Sequence, residues 1–282
     1  MIKRKTAKIY PAGPTIEGAG VHLKRVFSSP EATLTDPFLL LDDFRSDDPS
    51  KYYAGFPWHP HRGIETITYM LKGEVEHGDS MGNKGIIGSG DVQWMTAGSG
   101  IIHQEMLKGD ENGHMYGFQL WANLPASHKM IGPRYQEIKA AEIPEIVTAE
   151  NGVRIKVISG TLNGVTGPVT GIITNPEYLD ITVPVNTAYT HALKKGYTAI
   201  AYIFEGNGMF GEEKQAAGNG TGLLFGDGDA LTLMTNAQPV RFLLLSGKPI
   251  QEPIAWYGPI VMNTEDELRL AFEEYEKGTF VK

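Results

Sequence analysis

The sequence predicts an all-β protein made of two similar domains and one C-terminal helix. Short runs of β-branched and aromatic residues alternate with glycine-containing turns about every 8–12 residues, which is typical of a β-sandwich or β-barrel. The pattern occurs in both halves of the chain, and its 282 residues correspond to about two domains of roughly 150 residues. One segment near the C-terminus has helical spacing instead.

The strands of the first half are separated by clear turn signals. Residues 65–71 alternate and stop at Lys72 and Gly73, and the turn at 88–91 precedes a run over 92–96. After a second glycine-rich turn, further strand-like runs cover residues 101–106 and 116–121. These runs are short and closely spaced, as the strands of a β-sandwich or β-barrel are.

An internal repeat predicts the domain organisation. Residues 66–73 match residues 199–206, and the turn at 88–91 matches the turn at 226–229, with offsets of 133 and 138 residues. We therefore expect an N-terminal domain over residues 1–135 and a C-terminal domain over residues 136–282. The polar, charged segment 136–151 is suited to a linker between them.

The one predicted helix spans residues 264–277. Thr264 and Glu267 form a capping-box sequence, in which each side chain satisfies a backbone amide of the first turn. Apolar residues then recur at helical spacing, and Gly278 ends the segment. We expect this helix to pack on a domain surface in a structural role.

Composition excludes several classes of function. The formal net charge is −8, which argues against a nucleic-acid or anionic-membrane binder. The chain has no cysteine, so that disulfides, thiolate metal sites and cysteine nucleophiles are excluded and any metal must be bound by histidine and carboxylate. The basic start has no signal-peptide core, and no apolar run reaches membrane length, which predicts a cytoplasmic protein.

Two short groups of residues carry metal-binding chemistry. His59 and His61 are two residues apart, so in an extended strand they face the same side. His103 and Glu105 repeat that spacing 42 or more residues later. Three imidazoles and one carboxylate suit Fe²⁺, Mn²⁺, Co²⁺, Ni²⁺, Cu²⁺ or Zn²⁺. The alternative is a hydrogen-bonded polar network without a metal.

The remaining histidines have no partner at ligand spacing. His77, His114 and His128 lie in polar stretches and are expected to be solvated. His191 is expected at the surface or a sheet edge. The repeat offset of 138 places His103 over Arg241 and Glu105 over Leu243, so we expect no metal in the second domain.

The sequence around the two groups resembles the paired motifs of the pirin family of cupins. The segments that carry the resemblance are Gly55-x3-His59-x-His61-x3-Glu65-x7-Gly73 and Gly90-Asp-x3-Met-Thr-Ala-Gly-x-Gly-x2-His103-x-Glu105. Shorter matches at 36–44, 119–124, 158–160 and 258–264 extend the resemblance, in order, over nearly the whole chain.

The resemblance implies a fold and a metal site. The fold is a bicupin, two face-to-face antiparallel β-barrel (jelly-roll) domains with a C-terminal helix. The site is a single mononuclear metal, usually iron, held by His59, His61, His103 and Glu105. In the general cupin motif a carboxylate at the position of Glu65 binds the metal, so Glu65 is either an alternative ligand or a residue that holds a ligand imidazole or a water.

The resemblance also implies two classes of function. Some pirins resemble quercetin 2,3-dioxygenases, which open the flavonol ring with O₂ and release carbon monoxide, and Glu105 would then be the general base. The substrate would be a small aromatic molecule. Other pirins regulate transcription factors or metabolic enzymes through protein partners. A sugar isomerase or storage protein is the third reading, which the complete ligand set disfavours.

Overall fold

The computed structural model describes all 282 residues and divides them into two compact units. The first unit comprises residues 13–34, 38–140 and 250–282, and the second unit comprises residues 1–12, 35–37 and 141–249. Both consist mainly of antiparallel strands, which confirms the all-β fold class. This division differs from the predicted domain boundary between residues 135 and 136, because each unit includes a terminal segment from the other half of the chain.

The secondary structure consists of 25 strands, two α-helices and four short 3-10 helices. In chain order the strands are β1 (Thr6–Pro11), β2 (Gly13–Glu17), β3 (Val21–Phe27), β4 (Phe38–Asp43), β5 (Phe56–His61), β6 (Ile64–Lys72), β7 (Glu74–Asp79), β8 (Lys84–Ile87), β9 (Val92–Thr96), β10 (Ile101–Lys108), β11 (Tyr116–Asn123), β12 (Arg134–Ile138), β13 (Glu145–Val147), β14 (Arg154–Ser159), β15 (Thr161–Leu162), β16 (Val165–Thr166), β17 (Glu177–Val183), β18 (Ala188–Ala192), β19 (Thr198–Phe210), β20 (Gln215–Gly218), β21 (Thr221–Phe225), β22 (Ala230–Met234), β23 (Val240–Gly247), β24 (Ala255–Tyr257) and β25 (Ile260–Met262). The α-helices are α1 (Ala32–Thr35) and α2 (Glu265–Glu276), and the 3-10 helices cover Ser29–Glu31, Pro49–Lys51, Ala126–His128 and Ala140–Glu142. Neither α-helix is long and apolar enough to cross a membrane.

Two sheets face each other in the first unit. One has seven strands in the order β12-β9-β6-β11-β4-β3-β2, and the other has four in the order β5-β10-β7-β8. Glu105 on β10 accepts hydrogen bonds from Thr68 on β6 and Gln119 on β11, so the two inner faces meet there. Four side chains of β6 point inward. Met70 and Ile64 each belong to an apolar cluster, and Thr68 and Thr66 lie between these two clusters.

The second unit has an apolar interior. Its main sheet contains ten strands, with β1-β21-β19-β23-β17-β14-β13 as the continuous path. Its core cluster is mainly hydrocarbon, with Ile203, Phe210, Phe242 and Leu244 at zero exposure. The predicted linker, residues 136–151, is partly strand, because β12 pairs with β9 in the first unit and β13 pairs with β14 in the second.

The two matching glycines of the repeat identified in the sequence have the same backbone conformation. Gly73 follows β6 and Gly206 lies within β19, and both have left-handed backbone angles, with φ of 78° and 70°. A Cβ atom at either position would approach a carbonyl oxygen, that of Lys108 at 2.7 Å or that of Pro239 at 1.9 Å. Both positions therefore require glycine, which explains why the pattern recurs there.

The C-terminal helix forms as its capping residues predict. The amide of Glu267 donates to Thr264 Oγ1, and the amide of Thr264 donates to the Glu267 carboxylate. Leu268 and Ala271 are buried against β24 and β25, and Gly278 ends the helix with a φ of 70°. The helix therefore holds the segment 250–282 on the first unit.

Candidate metal centre

The three histidines of the two sequence groups converge in the first unit. His59 and His61 lie on β5, and His103 lies on the neighbouring strand β10, directly opposite His59 in register. One ring nitrogen from each lies within 4.8 Å of the other two, and the Nε2 atoms of His59 and His61 are 3.1 Å apart. Strand pairing therefore brings together residues that are 42 or more positions apart in the chain.

Two of these imidazoles have a fixed tautomer. His61 Nδ1 donates to the carbonyl of Pro259 at 2.9 Å, and His59 Nδ1 donates to the carbonyl of Pro57 at 2.8 Å. With the proton on Nδ1, each Nε2 carries a lone pair that faces the histidine group. A carbonyl partner of this kind commonly orients metal-bound histidines.

The histidine group fits a divalent cation. Neither ring nitrogen of His103 has a hydrogen-bond partner, although its side chain is fully buried. Such an imidazole is costly unless another group uses its lone pair. Burial lowers the pKa of His59 and His103, and it lowers that of His61 to about 3, so all three are neutral near pH 7. Neutral imidazole is the form that binds first-row metals.

Glu105 lies on the same side of β10 as His103 but is not one of the three converging residues. Its carboxylate accepts hydrogen bonds from Thr68 Oγ1 at 3.1 Å and from Gln93 Nε2 and Gln119 Nε2, both at 3.3 Å. Burial raises the pKa of Glu105 to about 7, and the bonds from Thr68 and Gln93 oppose that rise. The group can therefore exchange a proton near neutral pH.

A cavity of about 550 Å³ opens beside the histidines. His59, His61 and Glu105 line it, and Trp121 and Trp256 form part of its apolar wall. The ring of Trp121 packs edge-on against that of His61, with 5.0 Å between centroids. The volume lies in the range typical of small-molecule sites, so a metal at the histidines would be accessible to a bound ligand.

Glu65 does not lie beside the histidines, which corrects the expectation from the general cupin motif. It alternates with Thr66 and Thr68 along β6, so its side chain lies on the opposite face from the cavity. There its Oε1 accepts a hydrogen bond from Thr96 Oγ1 at 2.7 Å. The position of Glu65 depends on strand register, which a four-residue spacing from His61 does not determine.

His77 is buried, contrary to the expectation that it is solvated. It lies on β7, where its Nε2 is 3.3 Å from Asp79 and its ring stacks on Tyr135 with 4.7 Å between centroids. The ring of His103 is 5.3 Å away. The alternation of Val75, His77 and Asp79 is a strand signal that would have placed the three on one inward face.

His191 lies on the edge strand β18, which is one of the two positions expected for it, but it is buried and not at the surface. It contacts the hydroxyl of Tyr189 at 3.0 Å and the carboxylate of Glu177 at 3.6 Å. Arg241, at the position equivalent to His103, donates two hydrogen bonds to Asp180. Leu243 is fully buried. His114 and His128 are partly exposed.

Similarity to pirins extends along most of the chain. The Pirin family model matches residues 20–122, and the Pirin C-terminal cupin domain matches residues 178–281. A pirin-like protein from Caulobacter vibrioides is 44% identical over 278 residues, which cover 98% of this chain and 99% of that protein.

Two solved structures share the fold. Quercetin 2,3-dioxygenase from Acinetobacter baumannii is 33% identical, with a TM-score of 0.90 and 98% of each chain covered. A bacterial pirin from Escherichia coli, solved in complex with nickel(II), is 22% identical, with a TM-score of 0.65 and 86% of this chain and 98% of that chain covered. The two-domain cupin fold expected from the sequence is confirmed.

Proposed function

The chain belongs to the pirin family, and we propose that it is an iron-dependent dioxygenase that opens the ring of quercetin or a similar flavonol with O₂. The observation that carries the proposal is a group of three neutral imidazoles, two of which line a single cavity together with the proton-exchanging carboxyl of Glu105. Similarity over the whole chain to a solved quercetin 2,3-dioxygenase supports the same reaction.

The residues that would hold the metal are His59, His61, His103 and Glu105. Iron bound there would supply the one-electron chemistry that O₂ requires and a positive charge that favours a deprotonated flavonol hydroxyl. The protein itself keeps the three imidazoles neutral by burial and orients two of them through backbone carbonyls. Iron is the metal that we propose, and the same donor set also suits nickel or manganese.

Glu105 is the proposed general base. A flavonol in the cavity presents its ring hydroxyl to a carboxyl whose pKa is about 7, so that the carboxylate form accepts the proton. The hydroxyl of Thr68 and the amides of Gln93 and Gln119 hold the carboxylate in place. The apolar side chains of Trp121 and Trp256 contact the flat rings and exclude water from them.

The test combines metal content with oxygen consumption. Protein loaded with iron under anaerobic conditions should contain close to one iron per chain by elemental analysis. It should then consume O₂ and release carbon monoxide when quercetin is added. His61→Ala should lose both the metal and the activity, whereas Glu105→Gln should lose activity by a factor of about 10²–10⁴, the usual contribution of a general base.

Glu76→Gln is the matched control, because Glu76 is an exposed glutamate on the adjacent strand β7. It should leave iron content and oxygen uptake unchanged. Full activity in Glu105→Gln would refute its role as base. One iron per chain with no quercetin-dependent uptake would refute the dioxygenase proposal and favour the alternative, a metal-containing regulatory protein that acts through protein partners.

A further inference from the structure

A row of polar side chains crosses the inner face of the seven-stranded sheet. In register, Arg25 on β3 lies opposite Asp42 on β4, and Asp42 lies opposite Gln119 on β11. Gln119 lies opposite Thr68 on β6, whose own neighbour across the sheet is Gln93 on β9. Gln119, Thr68 and Gln93 form one half of this row and donate hydrogen bonds to Glu105 on the facing strand β10. Arg25 and Asp42 form the other half and have no contact with Glu105.

The first half of the row is an ion group. Arg25 Nε and Nη2 donate to the two carboxylate oxygens of Asp42 at 2.9 and 2.7 Å, and Arg25 Nη1 lies 2.8 Å from Glu17. All three residues line the cavity that His59 and His61 also line. Two carboxylates share one guanidinium, so this part of the wall carries a net negative charge and acceptor oxygens with unused lone pairs.

Strand spacing gives the distance between the ion group and the base. Neighbouring strands lie about 4.8 Å apart, so Asp42 on β4 is about 10 Å from Thr68, two strands away on β6. Thr68 is the residue that donates to Glu105. That separation exceeds a single benzene ring and is comparable to two or three connected rings. A multi-ring phenol whose reacting hydroxyl is at Glu105 would therefore place an outer ring at the ion group.

We infer that Asp42 and Glu17 accept hydrogen bonds from hydroxyl groups on the substrate's outer ring, so that the cavity selects polyhydroxylated phenols over unsubstituted or carboxylated ones. This inference rests on the proposed function and specifies its substrate class. A phenolic hydroxyl is a donor, and hydrogen bonds to ionised acceptors are about twice as strong as neutral ones. An outer-ring carboxylate would instead meet two like charges.

The experiment measures binding without turnover. Quercetin and 3-hydroxyflavone, which lacks outer-ring hydroxyls, are titrated anaerobically into the iron-loaded protein. The quenching of tryptophan fluorescence is followed, because Trp121 and Trp256 line the cavity. Glu17→Ala and Asp42→Asn should each weaken quercetin binding by about tenfold, the loss of one hydrogen bond to a charged group. Binding of 3-hydroxyflavone should change less than twofold.

Glu17→Ala keeps the test decisive if Asp42→Asn fails to fold, because Glu17 is half-exposed. Glu111→Ala, in an exposed loop, is the control and should change neither ligand. Equal losses for both ligands would overturn the inference. So would tighter binding of a 3-hydroxyflavone with an outer-ring carboxylate, because Arg25 would then recognise the substrate. Failure of every flavonol to bind would refute the proposed function itself.

Discussion

Arg62 attaches the C-terminal segment to the end of the strand that carries His59 and His61, and its removal should destabilise the first unit strongly. Its side chain is only 2% exposed and makes three polar contacts. Nε donates to the carbonyl of Ser99 at 2.7 Å, Nη2 donates to that of Phe280 at 2.8 Å, and Nη1 lies 2.7 Å from Glu274. The guanidinium also stacks over the ring of Phe280, 4.2 Å from its centroid.

The expected loss for Arg62→Met is about 3–5 kcal/mol of unfolding free energy. Removing one partner of a buried ion pair costs about that much. Each carbonyl left without a donor adds about 1–3 kcal/mol where water cannot reach it. Lys282 remains 2.6 Å from Glu274, so the contribution of the broken ion pair is reduced and the two carbonyls supply most of the expected loss.

Tryptophan fluorescence is the appropriate assay, because Trp58, Trp94, Trp121 and Trp256 are the only four in the chain and all lie in the first unit. Denaturant unfolding of metal-free protein, followed at tryptophan, therefore reports that unit alone. Arg269→Met is the control, since its exposed pair with Asp266 should contribute less than about 1 kcal/mol. A loss below 1 kcal/mol for Arg62→Met would refute the attachment role.

Three further predictions concern the same unit. Folding raises the pKa of Glu105 from 4.5 to about 7, so the folded chain binds the proton more tightly and its stability falls as pH rises through that interval. The unfolding free energy of metal-free Glu105→Gln should therefore exceed that of the wild type by about 3 kcal/mol at pH 8 and equal it below pH 4.5, as measured by denaturant titration. Lys129→Met should cost about 2–4 kcal/mol in the same assay, because Lys129 Nζ donates to the carbonyls of Gly63 and Val261 and to Asn123 Oδ1 at 2.7–3.0 Å, and the change removes this donor from all three buried acceptors. Removal of the metal with a chelator should lower the unfolding free energy of the first unit, followed by tryptophan fluorescence, by about 2.7 kcal/mol if free iron had been at 100 times its Kd. An unchanged denaturation midpoint would contradict a metal site in this unit.

The sequence predicts those features that depend on local or short-range patterns. The capping box of Thr264 and Glu267 forms as expected because both partners lie in one helical turn. His59 and His61 share a face because a strand alternates, and the family motif pairs them with His103. The two strands that carry these histidines are therefore identifiable before any tertiary contact is known.

The features that the sequence does not predict depend on register and on distant segments. Glu65 faces away from the cavity because β6 pairs with β9 in one register, and a shift of one residue would reverse that. His77 is buried only because β7 pairs with β10. Pro259, whose carbonyl orients His61, is almost 200 residues away in the chain, and no local pattern connects the two.

The contrast between the two units explains why the first needs those distant contacts. Both repeat the same strand pattern, but the interior of the second unit is apolar, whereas that of the first includes Thr68, Gln93, Gln119 and Glu105 around a cavity. Polar side chains and empty volume contribute less stability than packed hydrocarbon. The segment 250–282 adds an apolar cluster to the first unit alone, and the buried cations Arg62 and Lys129 bind its backbone. A unit with a polar cavity in its interior thus obtains stability from its outer layer, and weakening that layer should disturb the histidine group before it affects the second unit.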